Sequence, residues 1–273
     1  MARFAFIGCE VLFREFCFAA SQVKPTIDLI LMPQGLHNTP DELRKRVQAE
    51  INRLENGPER IDSTNNEAIP RPQYDAILLG YALCSNGIVG LTSTHLPLVI
   101  PRGHDCITIL LGSSQVYQQY FDSHHGVYWY SAGWIERTLQ PGRQRRELTM
   151  QRYIERYGED NAEYLMEMEQ NWYKEYEWAT YINWNLPTTE NDREYTRECA
   201  EYLGWHYDEI NGDPRLMLDF LAGNWNADRF LVVHPGECIE PSHDQTIMKA
   251  CAGCSCHGAA QITNEPPVSP DHQ

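Results

Sequence analysis

The sequence lacks any apolar run close to the roughly 20 residues that a membrane-spanning helix needs, so we expect no membrane partner. Its apolar start is cut short by Cys9 and Glu10, and no signal peptide is expected. Positive charge is scarce as well, since 22 Lys and Arg stand against 38 Asp and Glu. A net charge of −16 repels phosphates, which disfavours nucleic-acid binding. These absences predict a cytoplasmic protein.

Several catalytic motifs are also missing. The chain has no Gly-x-Ser-x-Gly elbow, so a serine hydrolase has no support. The glycine-rich stretch from Gly80 to Gly90 lacks the Gly-Lys-Ser/Thr ending of a phosphate loop and the spacing of a dinucleotide fingerprint. Nucleotide binding is therefore a minor hypothesis.

Cysteine, by contrast, is abundant, with nine residues in 273. In a reducing cytoplasm a cysteine cluster is more often metal-binding or catalytic than a disulfide framework. The odd number would also leave one cysteine unpaired in any scheme of disulfides alone. The function of these thiols is thus the main question that the composition raises.

Strands and helices alternate along the first 120 residues. Short apolar runs predict strands over residues 2–8, 26–31, 74–79 and 96–100. Helices are predicted over residues 11–21 and 39–54, after Ser85–Gly87, and from Asp105 onward. This alternation predicts an α/β fold, with a mostly parallel sheet of about five to six strands flanked by helices in Rossmann-like layering.

The rest of the chain predicts an additional, largely helical C-terminal part. A fifth strand is expected over residues 126–131 and a late one over 229–233, while 143–183 reads as acidic, aromatic helices packed on the sheet rather than an aromatic ligand site. We therefore expect a sheet domain over 1–140, a helical region with the final strand over 141–236, and a flexible cysteine-rich tail over 237–273.

Metal-binding side chains follow the ends of the predicted strands. Cys9 ends the first strand, His37 follows the second, Cys84 follows the third, and His104 and Cys106 follow the fourth. The carboxyl ends of parallel strands meet at one edge of a sheet, where ligands bind. We predict that Cys9, Cys84 and Cys106, with His104 or His37, bind zinc or iron, an Fe–S cluster included.

Helix positions and nearby charges suggest roles around this predicted site. Cys84 and Cys106 lie where helices are predicted to begin, which would lower their pKa values. Asp105 is expected to cap the helix that follows it. Glu10 or Glu15 would handle protons, and Arg102 would orient an anionic substrate.

A second group of donors lies near the C-terminus, comprising Cys251, Cys254, Cys256 and His257. A Cys-x-x-Cys pair supplies two metal ligands but normally needs partners from elsewhere, and Cys238 is a candidate. An ordered second site and a flexible metal-scavenging or redox tail both remain open.

Four sequence stretches resemble the uncharacterised DUF1638 family: Leu79–Leu91, Val99–Ile107, Leu111–Ser113 and Gly133–Glu136. Cys9-Glu10 and His37 are similar to residues of the same family. The resemblance covers roughly residues 4 to 236. Family members occur in methanogens and other anaerobes beside corrinoid-dependent methyltransferase systems, so the resemblance implies one-carbon or corrinoid chemistry.

We therefore expect a metal-dependent group-transfer enzyme of methyltransferase type, acting on a thiol or with a corrinoid-protein partner. The rival hypothesis is a non-enzymatic carrier of a metal or corrinoid. A ligand-binding protein without metal is a third reading, and homo-oligomers remain open.

Overall fold

A computed structural model describes residues 1–57, 72–187 and 190–252, together with the backbone of two short strands between the first two ranges. The strands are β1 Arg3–Cys9, β2 Thr26–Met32, β3 Arg60–Ile61, β4 Ala68–Ile69, β5 Ala76–Gly80, β6 Leu98–Pro101, β7 Val127–Tyr130, β8 Trp178–Asn183, β9 His206–Asn211, β10 Phe230–Val233, β11 Glu237–Pro241 and β12 Met248–Ala252. The helices are α1 Phe13–Ala20, α2 Pro40–Asn56, α3 Cys106–Leu111, α4 Ser114–Ser123, α5 Ala132–Arg137, α6 Arg143–Tyr157, α7 Glu159–Gln170, α8 Glu190–Leu203 and α9 Arg215–Ala222.

The main sheet has five strands in the order β10-β6-β5-β1-β2. The last four of these pair in parallel, and β10 runs antiparallel to β6 at one edge. Strands β5 and β6 are buried along their whole length, which explains their continuous apolar sequences. The predicted α/β fold is confirmed.

Both faces of this sheet are covered because the strands alternate their side chains. Phe4 and Phe6 of β1 pack with α1, α3 and α9 on one face, whereas Ala5 and Ile7 pack with α2 on the other. Strand β2 lies on one side of β1, and β5, the next strand of this sheet along the chain, lies on the other side. The strand order thus reverses between β1 and β5, the position at which parallel sheets form ligand crevices.

A second, three-stranded parallel sheet has the order β7-β8-β9. Helices α6 and α7 agree with the helices predicted over residues 143–183, but β8 makes that prediction wrong for residues 178–183. Strand β9 is a further strand that the sequence did not predict. The sequence of β8, Trp-Ala-Thr-Tyr-Ile-Asn, is rich in β-branched and aromatic residues, and its burial among α8 residues fits a strand better than an amphipathic helix.

Two further predictions of local structure are wrong. The segment after Cys84 forms turns rather than a helix, because Cys84, Ser85 and Asn86 all have positive φ values of 46°, 56° and 64°. The region after residue 237 also begins with an ordered hairpin, in which β11 pairs with β12. Residues 253–273 of the predicted tail lie outside the described residues. None of the helices in the described part of the chain is long and apolar enough to cross a membrane.

Paired glycines allow aromatic packing beneath the strand ends. Gly8 and Gly80 are opposite each other in β1 and β5. A Cβ atom on Gly80 would lie 2.1 Å from Cζ of Phe6 and 2.9 Å from Cζ of Phe16. Both rings are fully buried, so they have no space into which to retreat.

We predict that Gly80→Ala lowers the free energy of unfolding by about 1–3 kcal/mol through overpacking. Chemical denaturation of the wild type and the variant measures this loss. Phe6→Leu, which shortens the clashing ring, is the control in a double-mutant cycle. The clash requires that the double variant lose less stability than the two single losses combined, and simple additivity would contradict it.

Candidate functional site

A cavity of about 380 Å³ lies at the carboxyl ends of the parallel strands. Its lining includes all five side chains predicted to bind metal: Cys9, His37, Cys84, His104 and Cys106. Tyr81 and Asp105 come from the same strand ends, and Trp134 comes from α5 after the second sheet's first strand. The cavity therefore lies at the carboxyl ends of the neighbouring strands β1 and β5. Helix α5, which follows the first strand of the second sheet, closes one side of it.

Backbone contacts fix the three cysteines on separate segments. Cys9 is the last residue of β1, and Cys106 is the first residue of α3. The backbone N–H of Cys84 donates to the carbonyl of His104 at 3.0 Å, and that of Leu83 donates to Gly103 at 2.9 Å. These two hydrogen bonds join the loop after β5 to the loop after β6, which carries His104 and Cys106 towards Cys84.

Close packing holds α5 against the turn after Cys9. A Cβ atom on Gly133 would lie 1.6 Å from the carbonyl oxygen of Val11, so only glycine permits this approach. The contact positions Trp134, whose side chain hydrogen-bonds the Cys106 thiol. The rings of Trp134 and His37 also meet edge to face, with centroids 5.7 Å apart.

The surroundings of the three thiols raise their pKa values. Burial raises the pKa of Cys84 to about 12 and raises the pKa values of Cys9 and Cys106. The negative charge of a thiolate at Cys9 would raise the pKa of Cys84, and charges at both would raise that of Cys106. The expectation that helix N-termini lower the pKa values of Cys84 and Cys106 is wrong, since burial dominates and Cys84 begins no helix.

The other polar groups at the cavity differ from the thiols in their pKa shifts and hydrogen bonds. Burial lowers the pKa of His37, which favours the neutral imidazole that can bind a metal. Asp105 caps α3 as predicted, accepting from the backbone N–H groups of Ile107 and Thr108. The Tyr81 hydroxyl is buried and has no hydrogen-bond partner among the described residues. Water, an ion or a ligand in the cavity can satisfy such a group.

In the described part of the chain, no three His, Cys, Asp or Glu side chains are arranged so that they could hold a metal ion. The structure thus brings the predicted donors to one cavity without placing them in a ligand geometry. Neutral thiols have no attraction that would draw them together, so side-chain rotation would have to accompany deprotonation and metal binding.

The three residues predicted to act on substrate lie outside the cavity lining. Glu10 accepts from the backbone N–H of Gln34 at 2.9 Å and lies 3.6 Å from the Arg137 guanidinium. The Arg102 guanidinium donates to the carbonyls of Ala227, Thr246 and Met248. Both side chains therefore join segments of the fold.

Glu15 is 1% exposed, and its Oε2 atom has no hydrogen-bond partner among the described residues. Burial raises its pKa to about 7, and the negative charges of Glu136 and Asp192 add to this effect while Arg14 opposes it. The carboxyl group is thus protonated in the folded protein over a range where it is ionised in the unfolded chain.

We predict that Glu15 makes stability fall as pH rises. Between about pH 4.5 and 7 the folded state binds the extra proton, so the unfolding free energy drops by roughly 3 kcal/mol in total and stays low above pH 7. Glu15→Gln removes this dependence, whereas Glu163→Gln, at an exposed helix position, does not. Denaturation of all three proteins at pH 5 and pH 8 measures the effect. An equal pH dependence of wild type and Glu15→Gln would show that Glu15 ionises normally.

A groove of about 660 Å³ adjoins the cavity and shares His37 and Trp134 with it. Its walls include Tyr128, Tyr153 and Trp172, together with Arg145 and Arg152 of α6. Arg145 is 3.2 Å from Glu169, so that charge is already paired. The groove offers a solvent-open approach to the cavity on the far side of the His37 and Trp134 rings.

Sequence reasoning missed Tyr81 and Trp134 as site residues. Tyr81 lies in the same loop after β5 as Cys84, and this position alone could have identified it as a site residue. Trp134 is on α5, after the first strand of the second sheet, and only the family resemblance, which includes both Val99–Ile107 and Gly133–Glu136, connects it with Cys106.

The fold and the site define an α/β protein with a cysteine- and histidine-lined cavity at the strand-order reversal of its main sheet. Residues 31–221 match the family model described as "Protein of unknown function (DUF1638)", so the chain belongs to this family. The matched range contains His37, Cys84, His104 and Cys106, whereas Cys9 precedes it. No curated protein and no solved structure matches the chain.

Proposed function

We propose that this is a cytoplasmic metal-binding protein in which the thiolates of Cys9, Cys84 and Cys106 hold zinc or iron, with His37 or His104 as a further ligand. The observation that carries the proposal is that three thiols from three separate strand ends line one cavity with two imidazoles. Thiolate and imidazole are the ligands that zinc prefers, and an Fe–S cluster takes the same donors.

The chemistry of the donor set supports a soft cation. Partly buried, mutually repelling thiolates are unfavourable without a positive charge among them, and a bound metal would supply that charge. The hydrogen bond from Trp134 to Cys106 favours the thiolate at that position. His37 comes from the segment after β2, and its lowered pKa favours the neutral imidazole that a metal binds. Such hydrogen bonds to ligand atoms are a common way in which proteins tune a metal site.

The space around the thiols supports a role in group transfer. A cavity of about 380 Å³ exceeds what one metal ion needs, and the adjoining groove offers an approach for a second molecule. In the transfer that we propose, a thiolate attacks a methyl carbon. The S–C bond forms as the bond from that carbon to its donor, such as a corrinoid cobalt, breaks, and the electron pair leaves with the donor.

A metal carrier is the second candidate. Glu10, Glu15 and Arg102 do not line the cavity, and the Asp105 carboxylate is occupied in capping α3. Among the described residues the cavity thus offers little for proton transfer beyond its histidines. In methyl transfer to a thiolate, the step that forms the S–C bond needs no proton transfer. A metal carrier catalyses no reaction and needs no proton-transfer group at all.

We predict that Cys9→Ser, Cys84→Ser and Cys106→Ser, each made in protein whose Cys238 and Cys251 are also changed to serine, lower the metal content of protein purified without oxygen by at least about tenfold, because each removes a ligand. Elemental analysis measures the metal that remains. Cys17→Ser and Cys199→Ser are the matched controls, since neither thiol lines the cavity.

Full metal content in all three cavity variants would contradict the proposal. If the cavity variants lose the metal, addition of a small thiol to the cobalt-loaded wild type distinguishes a group-transfer enzyme from a metal carrier. A changed visible spectrum indicates an open coordination position suited to transfer, and an unchanged spectrum indicates a closed carrier site.

A further inference from the structure

The groove beside the cavity has an aromatic wall. Its volume of about 660 Å³ lies within the range of roughly 300–1,000 Å³ that is typical of small-molecule sites. Tyr128, Tyr153 and Trp172 line the groove, and each is partly exposed. The sequence favours packing for the aromatic residues of this region, and the structure also places Tyr153 and Trp172 on the wall of an open groove. Such rings are available to stack on a planar molecule.

One carboxylate holds this wall together. Arg145 Nη2 donates to Oε1 of Glu169 at 3.2 Å, and the Tyr153 hydroxyl donates to Oε2 of the same residue at 2.5 Å. The guanidinium carbon of Arg145 lies 5.8 Å from the centre of the Trp172 ring. Both oxygen atoms of Glu169 are thus engaged, and Arg145 compensates its negative charge.

Arg152 supplies a positive charge that nothing compensates in the described part of the chain. Its side chain is exposed on α6, lines the same groove, and forms no hydrogen bond, ion pair or ring contact with another described residue. Burial lowers the pKa of His37, the groove's histidine, and so favours its neutral form. The groove therefore carries one net positive charge in a chain whose net charge is −16. That charge attracts an anion.

The same groove opens onto the cavity with the three thiols. The side chains of His37 and Trp134 line both spaces. Their rings meet edge to face, with centroids 5.7 Å apart. A molecule that lies along the aromatic wall is therefore next to the two rings that border the cavity.

We propose that the groove binds a planar aromatic carboxylate, whose ring stacks on the wall of Tyr128 and Trp172 and whose carboxylate pairs with Arg152. A guanidinium group matches the geometry of a carboxylate and can donate two parallel hydrogen bonds to it. One uncompensated charge suits a monoanion better than a phosphate monoester, which carries close to two negative charges near pH 7.

This ligand would be the second molecule of the group transfer, and only that role rests on the proposed function. Binding in the groove needs neither a metal nor the cavity thiols. The inference about the groove and the proposal about the cavity can therefore fail separately.

The test measures binding of naphthoate, a planar aromatic monoanion, to the full chain as purified, by isothermal titration calorimetry at low salt. Naphthamide has the same rings without the charge, and cyclohexanecarboxylate has the charge without an aromatic ring. We expect naphthoate to bind at least about fivefold more tightly than either, because the charged hydrogen bonds and the ring stacking both contribute.

Arg152→Gln should weaken naphthoate binding at least about fivefold and leave naphthamide binding unchanged, because it removes only the charge. Arg156→Gln is the matched control, since Arg156 is exposed on the same helix and does not line the groove. Circular dichroism confirms that both variants are folded.

An absence of naphthoate binding, equal affinities for naphthoate and either of the other two ligands, or equal losses in Arg152→Gln and Arg156→Gln would overturn the inference. The triple variant Cys9→Ser/Cys84→Ser/Cys106→Ser should bind naphthoate as the wild type does. A marked loss there would place the ligand in the cavity and would also overturn it. The metal content of the same preparations reports on the proposed function, which can fail while naphthoate binding in the groove stands.

Discussion

The partial burial of three thiols at the carboxyl ends of one parallel sheet is the constraint on which the site depends. The order β10-β6-β5-β1-β2 makes the chain reverse direction across the sheet between β1 and β5. At such a reversal the connections leave the sheet in opposite directions, and the cavity lies at that position. Cys9, Cys84 and Cys106 line it because each follows a strand that ends at this edge. Burial raises the pKa values of these thiols, and the cation that we propose would compensate the charge of the thiolates.

Close backbone contacts turn this topology into a defined cavity. Gly133 lets α5 touch the turn after Cys9, and Trp134 then reaches Cys106 from the second sheet. The left-handed turn from Cys84 to Asn86 is costly for residues other than glycine, at about 1–2 kcal/mol each. Such strain is typical of functional segments, where the surrounding structure holds an unfavourable conformation in place. Hydrogen bonds from Leu83 and Cys84 to the next loop supply part of that support.

Much of this fold and of the cavity could be predicted from the sequence, and the reasons are physical. Buried strands such as β5 and β6 show as short apolar runs, and strand topology alone brought Cys9, Cys84 and Cys106 to one edge. Strands β8 and β9 were missed because the tyrosine, tryptophan and acidic residues around them also suit a helical surface. The roles given to Glu10 and Arg102 rested on their nearness in sequence to Cys9 and Cys106. The direction in which a side chain points decides such a role. The Glu10 and Arg102 side chains do not line the cavity and form hydrogen bonds to other segments of the chain.

Proton release on metal binding tests the central claim most directly. If buried, neutral thiols become metal ligands, each must lose its proton as the metal enters. Zinc is titrated into reduced, weakly buffered protein near pH 7 in which Cys238 and Cys251 are changed to serine, and the released acid is measured. The account predicts close to three protons for each zinc bound, with a loss of about one proton in each cavity variant that still binds. Zinc binding without proton release would contradict it, because the ligands would then be groups other than these thiols.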